Sequence, residues 1–389
     1  MFRKSVIVLA LLGPVFAADP VSPAAGVTVH EWGTFTSVAG ELGEPVYWSP
    51  LTAPSDLPCF VNRLPTQCVK CAPSIMRMET PVLYFYSAKP ATVSVKVDFP
   101  SGLISEWYPR AADVSPKGAV TYERNGRIDW GKVEIGDSAF GNFPKDDRPS
   151  HYYAARETDS AALRVNGQEE KLLFYRGVAS DGVYLAPRIL PDGRVEIRRN
   201  SLYAVPRAIL FENRDGNIGY RVVRDLSQPV TVDAPKLGAD VREVHRELAQ
   251  ALEGAGLYPK EAAAMIETWR DSWFEDGLRV FYLVPKTAVD FLLPLRIEPA
   301  PVQTTRVFAG RVELLSNAMR QNLQTALANG DIPTLAKCGR FFEPFMAMMH
   351  ATPSPEVRSY MNRARQAAAQ PPAPCKAAPF ATQTDGPLQ

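Results

Sequence analysis

The chain has 389 residues, and its 43 basic and 42 acidic side chains nearly cancel. No run of Lys or Arg is long enough to track a phosphate backbone, which argues against a nucleic-acid partner. Thirty-five prolines favour short strands and turns over a helical bundle, and no apolar stretch reaches the roughly eighteen residues a membrane-spanning helix needs.

Residues 1–18 read as an export signal. Arg3 and Lys4 form a basic start, Val6 to Leu12 is a short apolar run, and Val15-Phe16-Ala17 places small residues where a signal peptidase cuts, near Ala17 or Ala18. No cysteine stands directly after that point, so a lipid anchor is not expected. The product is expected in the periplasm or outside the cell.

From Val27 to about Asp233 the polarity alternates with period two, clearest from Ala91 to Phe99, where Val93, Val95, Val97 and Phe99 share one side. Further strands are expected at Pro81 to Tyr86, Ala119 to Glu123, Arg127 to Ile135, Lys171 to Tyr175, Arg194 to Arg198 and Tyr220 to Val223. Asn125-Gly126, Asn166-Gly167, Asp181-Gly182, Asp192-Gly193 and Asp215-Gly216 are turn pairs suited to tight hairpins. The period then becomes helical. Leu237, Val241, Val244, Leu248 and Leu252 form one stripe, and a helix opening at Pro259 carries Ala262, Met265, Ile266, Trp269 and Trp273 on its apolar side. Strands follow at Leu278 to Val284 and Arg306 to Leu315. Helices are expected at Ser316 to Asn329, Pro333 to Met349 and Pro355 to Ala369, the last capped by Ser354.

The fold class is therefore α+β: a large antiparallel β region of one or two sandwiches, then a smaller helix-rich domain with a few strands. The expected divisions are a first β unit over 27–140, a second over 151–235, a mixed domain over 236–369 and a Pro/Ala-rich flexible tail over 370–389, with Gly141 to Ser150 as the break between the β units.

Five cysteines follow the signal, in a compartment where disulfides persist. Cys68-Val-Lys-Cys71 lacks the following His that haem attachment needs, since Ala72 stands there, and Pro73 argues against a redox helix. A zinc site from Cys59, Cys68, Cys71 and His30 has suitable ligand types but no standard spacing. The expectation is two disulfides, Cys59–Cys68 and Cys338–Cys375, with Cys71 left over, and no metal or cofactor.

The strings His30–Val38 (HEWGTFTSV), Arg77–Ser87 (RMETPVLYFYS), Ser105–Pro109 (SEWYP) and Thr268–Glu275 (TWRDSWFE) resemble those of a family of uncharacterised exported bacterial proteins. The resemblance spans most of the chain after the signal and brings no activity with it.

For chemistry, His30-Glu31 lacks the second His of a zinc-protease helix, because Thr34 occupies its position; on a strand the two side chains face opposite ways. Glu31-Trp32, Glu106-Trp107 and Asp129-Trp130 place acids beside aromatic rings. Glu31, Glu79 and Glu106 are thus the candidate catalytic carboxylates for a glycosidase, which needs two at a set separation. His30, Trp107, His151 and Tyr152 are the candidate ligand-binding residues, since each joins a flat face to a polar tip. The leading functional expectation is a non-catalytic exported protein that binds a glycan or a protein; the alternative is a secreted hydrolase using paired carboxylates.

Overall fold

The computed structural model describes residues 26–49, 57–64, 74–116, 124–136, 139–369 and Cys375. Their centre is a nine-stranded sheet in the order Asn217–Arg224, Arg207–Arg214, Gly277–Val284, Gln303–Leu314, Thr28–Val38, Met76–Tyr86, Leu173–Ala179, Gly102–Tyr108 and Asn62–Arg63. Neighbours run antiparallel except at the middle, where Thr28–Val38 lies parallel to Gln303–Leu314. A parallel pair needs a long crossover, and here almost the whole chain separates the two strands.

Alternation gives this sheet two apolar faces. Val29, Phe35, Met78, Leu83, Tyr175, Val280 and Phe308 point one way. There they meet a six-stranded sheet built on Ala91–Phe99 and Gly126–Ile135, and a three-stranded sheet of Leu185–Ile189, Val195–Arg199 and Val230–Val232. Trp32, Val82, Tyr84, Phe174, Phe281 and Val307 point the other way, into helices Val241–Gly254 and Pro259–Thr268 and the short turn Arg270–Trp273. Beside these, Val38 and Trp48 meet the C-terminal helices Asn317–Asn329, Phe342–Met348 and Pro355–Ala369. The molecule is mixed α+β, as expected, with its layers stacked β, β and helix.

The expected division into 27–140, 151–235 and 236–369 does not correspond to separate sheets. The nine-stranded sheet takes strands from all three stretches, because period-two polarity reports that a strand is covered but not which strand lies beside it. The Ala91–Phe99 and Pro355–Ala369 elements have the expected bounds. Ala119 to Glu123, residues 1–18 and most of the tail lie outside the described residues. The Pro333 to Met349 helix is broken into Ile332–Ala336, a 3₁₀ turn and Phe342–Met348, with Gly339 at φ +49° in the break. His151 and Tyr152 start a 3₁₀ turn, His151–Arg156, after the Ser150 cap.

Two glycine-dependent places shape the sheet. Asp215 and Gly216 have φ of 50° and 84° and close the hairpin between Arg207–Arg214 and Asn217–Arg224, as the turn pair requires. Gly33 sits where the register of Thr28–Val38 against Met76–Tyr86 slips. A Cβ there would come within 2.7 Å of the Phe308 ring and 3.1 Å of the Pro81 Cα. The slip inserts an extra residue opposite Gly33, so Glu79 and Val82, three apart, both face the helices.

The cysteine pairing differs from the expected one. Cys59 is joined to Cys375 and Cys338 is free; Cys68 and Cys71 lie outside the described residues. Cys338 is packed under the C-terminal helices with its Sγ 3.9 Å from Met319 Sδ. Proximity along the chain suggested Cys338–Cys375, but the fold carries Cys375 to the Cys59 loop, 316 positions away. Burial, reinforced by Glu275 and Asp276, pushes the Cys338 thiol up to about 12, which keeps it protonated and inert. Peptide mapping without reductant is expected to recover a Cys59–Cys375 link and an unlinked Cys338. Cys375→Ser is expected to lower stability by about 2–4 kcal/mol, read as a drop in Tm. A Cys338–Cys375 link would contradict this pairing.

Candidate functional site

The candidate carboxylates divide between the two faces of the nine-stranded sheet. Glu31 points into the all-β side. Its Oε1 accepts from the Tyr175 hydroxyl at 2.5 Å and its Oε2 from Arg306 Nε at 2.5 Å; Arg306 Nη1 reaches Asp290 and the Leu293 carbonyl. Burial, and then the charge of Glu31, holds the Tyr175 hydroxyl well above the usual tyrosine range, so it stays a donor. Glu31 is fully buried.

Glu79 and Glu106 point the other way, beneath the helices. Thr36 donates to Glu79 Oε2 at 2.7 Å, Arg77 Nε lies 3.2 Å from Oε1, and Arg340, from the 3₁₀ turn Gly339–Phe341, pairs with the same oxygen. Burial alone would push the Glu79 carboxyl up. The guanidiniums of Arg340, Arg77 and Arg311 and the Thr36 bond outweigh it and hold the group below its ordinary value of 4.5. Glu106 accepts from Ser105 and sits in register with Arg176 on one neighbour and Arg63 on the other. Arg176 in turn donates to Thr80 Oγ1 at 3.2 Å. One strand separates Glu79 from Glu106, so their backbones are roughly 10 Å apart, with the Arg176 strand between them.

The polar seam continues along the same face. Arg311 Nε bonds Glu313 Oε1, and Arg279 Nε lies 2.9 Å from that oxygen. Arg311 Nη1 donates to Ser272 Oγ at 2.8 Å and Nη2 to Glu275 Oε1 at 2.7 Å. Arg340 Nη2 donates to the same Ser272 oxygen at 3.0 Å. Arg279 also binds the carbonyls of Trp273, Glu275 and Asp276. Burial, opposed by Glu313, pulls Arg279 down to about 10, so it remains charged at neutral pH. The Phe341 ring lies beneath the guanidiniums of Arg311 and Arg340, at 5.1 and 5.0 Å. The strings around His30, Arg77 and Thr268 thus supply Thr36, Arg77, Glu79, Ser272 and Glu275 to one internal network.

His30 is a separate knot on the helical side. Its Nδ1 lies 2.8 Å from Glu261 Oε2, Tyr86 donates to Glu261 Oε1 at 2.8 Å, and the Tyr258 amide donates to Oε2. Glu261 is the third residue of its helix and so caps the helix while holding His30. His30 and Glu31 face opposite sides, as alternation requires.

The remaining candidates are dispersed. Trp107 packs half-buried against the all-β core. Tyr152 is buried on the helical side with its hydroxyl 3.0 Å from Glu170 Oε2. His151 Nε2 lies 2.9 Å from Asp271 Oδ2. Among the described residues no group of three or more His, Cys, Asp or Glu is placed to hold a metal ion, and Cys59 is held in its disulfide, so it supplies no zinc thiolate. Sequence reasoning passed over Arg279, Arg306, Arg311, Glu313 and Arg340. The available signal was a charged residue in phase with apolar ones on a strand apolar on both sides, as in Arg279-Val280-Phe281-Tyr282-Leu283.

No protein-family model matches the chain, and no curated protein matches it. Among solved structures it is similar to the Fcho1 Mu homology domain of Danio rerio with bound Eps15 peptide, at 7% identity and a TM-score of 0.28, over 76% of this chain and 99% of that one. That likeness is too distant to bear on function.

Because Glu79 is held below its ordinary value in the folded chain, it contributes stability above pH 4.5 that is lost as pH falls through its lowered folded value. Urea unfolding followed from pH 7 downward is expected to show stability falling below about pH 4.5, with a shallower fall in Glu79→Gln, which starts from lower stability. Equal slopes in the two proteins would contradict this assignment.

Proposed function

We propose that the chain is an exported, non-catalytic protein that binds a protein partner, and that it belongs with the exported bacterial family its strings resemble. The observation that carries this reading is that all three candidate carboxylates are engaged inside the layers. Glu31 is bonded by Arg306 and Tyr175 on one face, and Glu79 and Glu106 lie on the other among Arg77, Arg340, Arg176 and Ser105. Glycoside hydrolysis needs one carboxyl able to hold a proton and a second free to act as base or nucleophile. Glu79 is instead kept ionised by arginines.

A protein partner is favoured over a glycan by the tryptophans. Sugar recognition uses exposed flat rings, whereas Trp32, Trp48, Trp130, Trp269 and Trp273 are buried and Trp107 is half-buried. Export accords with the signal-like start of the sequence, with a disulfide, and with the absence among the described residues of a helix long and apolar enough to cross a membrane.

The purified chain is expected to release no reducing sugar from a polysaccharide panel, and to gain thermal stability with a protein from the exported fraction of its own host. Sugar release that is lost in a folded Glu106→Gln variant would overturn this reading in favour of the hydrolase.

A further inference from the structure

We infer that the outer edge of strand Asn217–Arg224 is the docking site for an extended, acidic stretch of a partner protein, which joins the nine-stranded sheet as a tenth strand. This rests on the protein-binding reading above and names the surface that would serve it. Asn217–Arg224 ends the sheet and is paired only with Arg207–Arg214. Across a two-residue turn the flanking pair, here Arg214 and Asn217, exchanges hydrogen bonds, and bonded and non-bonded pairs alternate from there. The register therefore turns the N–H and C=O groups of Ile218, Tyr220, Val222 and Arg224 outward. Bonds outside the ladder have the same phase: the Ile218 carbonyl accepts from the amides of Gly238 and Ala239, whereas the Asp225 amide points inward to the Pro206 carbonyl. Residues 233–240 lead from the three-stranded sheet to helix Val241–Gly254 and cross the edge there, with the Lys236 carbonyl close over Gly219. Beyond that crossing, no hydrogen bond among the described residues meets the outward groups of Tyr220, Val222 or Arg224.

Sheet edges are ordinarily kept short or guarded by proline, lysine or a bulge. The other edge strands have five residues or fewer, and the five-residue one, Leu185–Ile189, carries Pro187. Asn217–Arg224 has eight residues, no proline, no lysine and an unbroken register. Donors and acceptors alternating along such an edge are matched by another extended backbone, and the side chains say which one. Tyr220 and Val222 are half-buried on the helix side and take apolar neighbours. Arg221, on the other side, stands 4.0 Å from Asp233, and Arg224 is exposed and in no ion pair. The acids nearby are engaged: Glu247 with Arg207, Asp240 with Arg242, and Asp225 with the Ser227 hydroxyl. Glu243 lies beside Tyr220 together with Arg246, which offsets it. The strand's own two arginines therefore set the sign. They favour carboxylates on the strand opposite and disfavour a second copy of the same edge.

The test is titration of the full chain with N-acetyl-Glu-Val-Glu-Val-Glu-amide, with the same peptide carrying lysines in place of the glutamates, and with the acidic peptide N-methylated at every residue. Saturable binding of the first alone is expected, with amide hydrogen exchange slowed over residues 217–225. Val222→Pro, which removes an outward N–H and leaves the ladder to Arg207–Arg214 intact, is expected to weaken binding about tenfold, the loss of one backbone hydrogen bond, with an unchanged circular dichroism spectrum. Arg224→Glu, which alters an exposed side chain only, is expected to reduce the preference for the acidic peptide over the basic one. Equal binding of the N-methylated or the basic peptide, unchanged exchange over 217–225, or undiminished binding by a folded Val222→Pro overturns the proposal. A concentration-dependent dimer that Val222→Pro abolishes would assign the edge to a second copy and overturns it too. If the acidic peptide fails to bind while the chain still gains stability with a protein partner, the edge assignment fails and the protein-binding reading stands. If neither occurs, both fail.

Discussion

The structure depends on the sharing of Glu313 by Arg311 and Arg279 beneath the helices. The nine-stranded sheet is covered on both faces, so any charge on its central strands is removed from water and has to be answered by another. An isolated buried ion is costly enough to unfold a domain, and an ion pair only partly recovers that cost. Glu313 accepts from Arg311 and lies 2.9 Å from Arg279 Nε, and each guanidinium reaches the turn over Trp273–Asp276 as well. That turn follows the first two helices. The seam is therefore less a source of stability than a specification of where the helical layer sits.

Arg340 extends the same logic to the C-terminal helices. It leaves the 3₁₀ turn after Cys338 to meet Glu79 and Ser272, and Phe341 beside it stacks on Trp48 at 5.5 Å. Glu79, from the N-terminal half of the chain, thereby orders elements some 260 residues later. The Trp273 carbonyl is taken by Arg279, while its ring is fully buried in the core beneath the helices. The same residue thus anchors the seam through its backbone and the helical layer through its ring.

Much of the fold was legible in the residues. Alternation from Ala91 to Phe99 and the turn pairs Asn166-Gly167 and Asp215-Gly216 gave strands and hairpins where they occur, because pleat and positive φ are local requirements. The Ser354 cap, bonded by the Val357 amide at 3.3 Å, is equally local. Alternation also separated His30 from Glu31 correctly. What could not be read was partnership at long range. Nothing near Val29 says that residues 303–314 lie alongside it in parallel, and nothing near Cys59 points to Cys375. Treating Glu31, Glu79 and Glu106 as one carboxylate group required knowing faces and neighbours. Their arginine partners come from distant strands and turns, so each acid looked free until the layers were assembled.

The central claim is that the buried arginine–carboxylate seam positions the helical layer on the sheet. A double-mutant cycle on Arg311→Met and Glu313→Gln, read by urea unfolding at pH 7, tests it most directly. Each single change is expected to cost about 3–5 kcal/mol by leaving a buried charge unanswered, and the pair together to cost less than the sum by more than about 1 kcal/mol. Additive costs, or single changes within about 0.5 kcal/mol of the parent chain, would contradict the account.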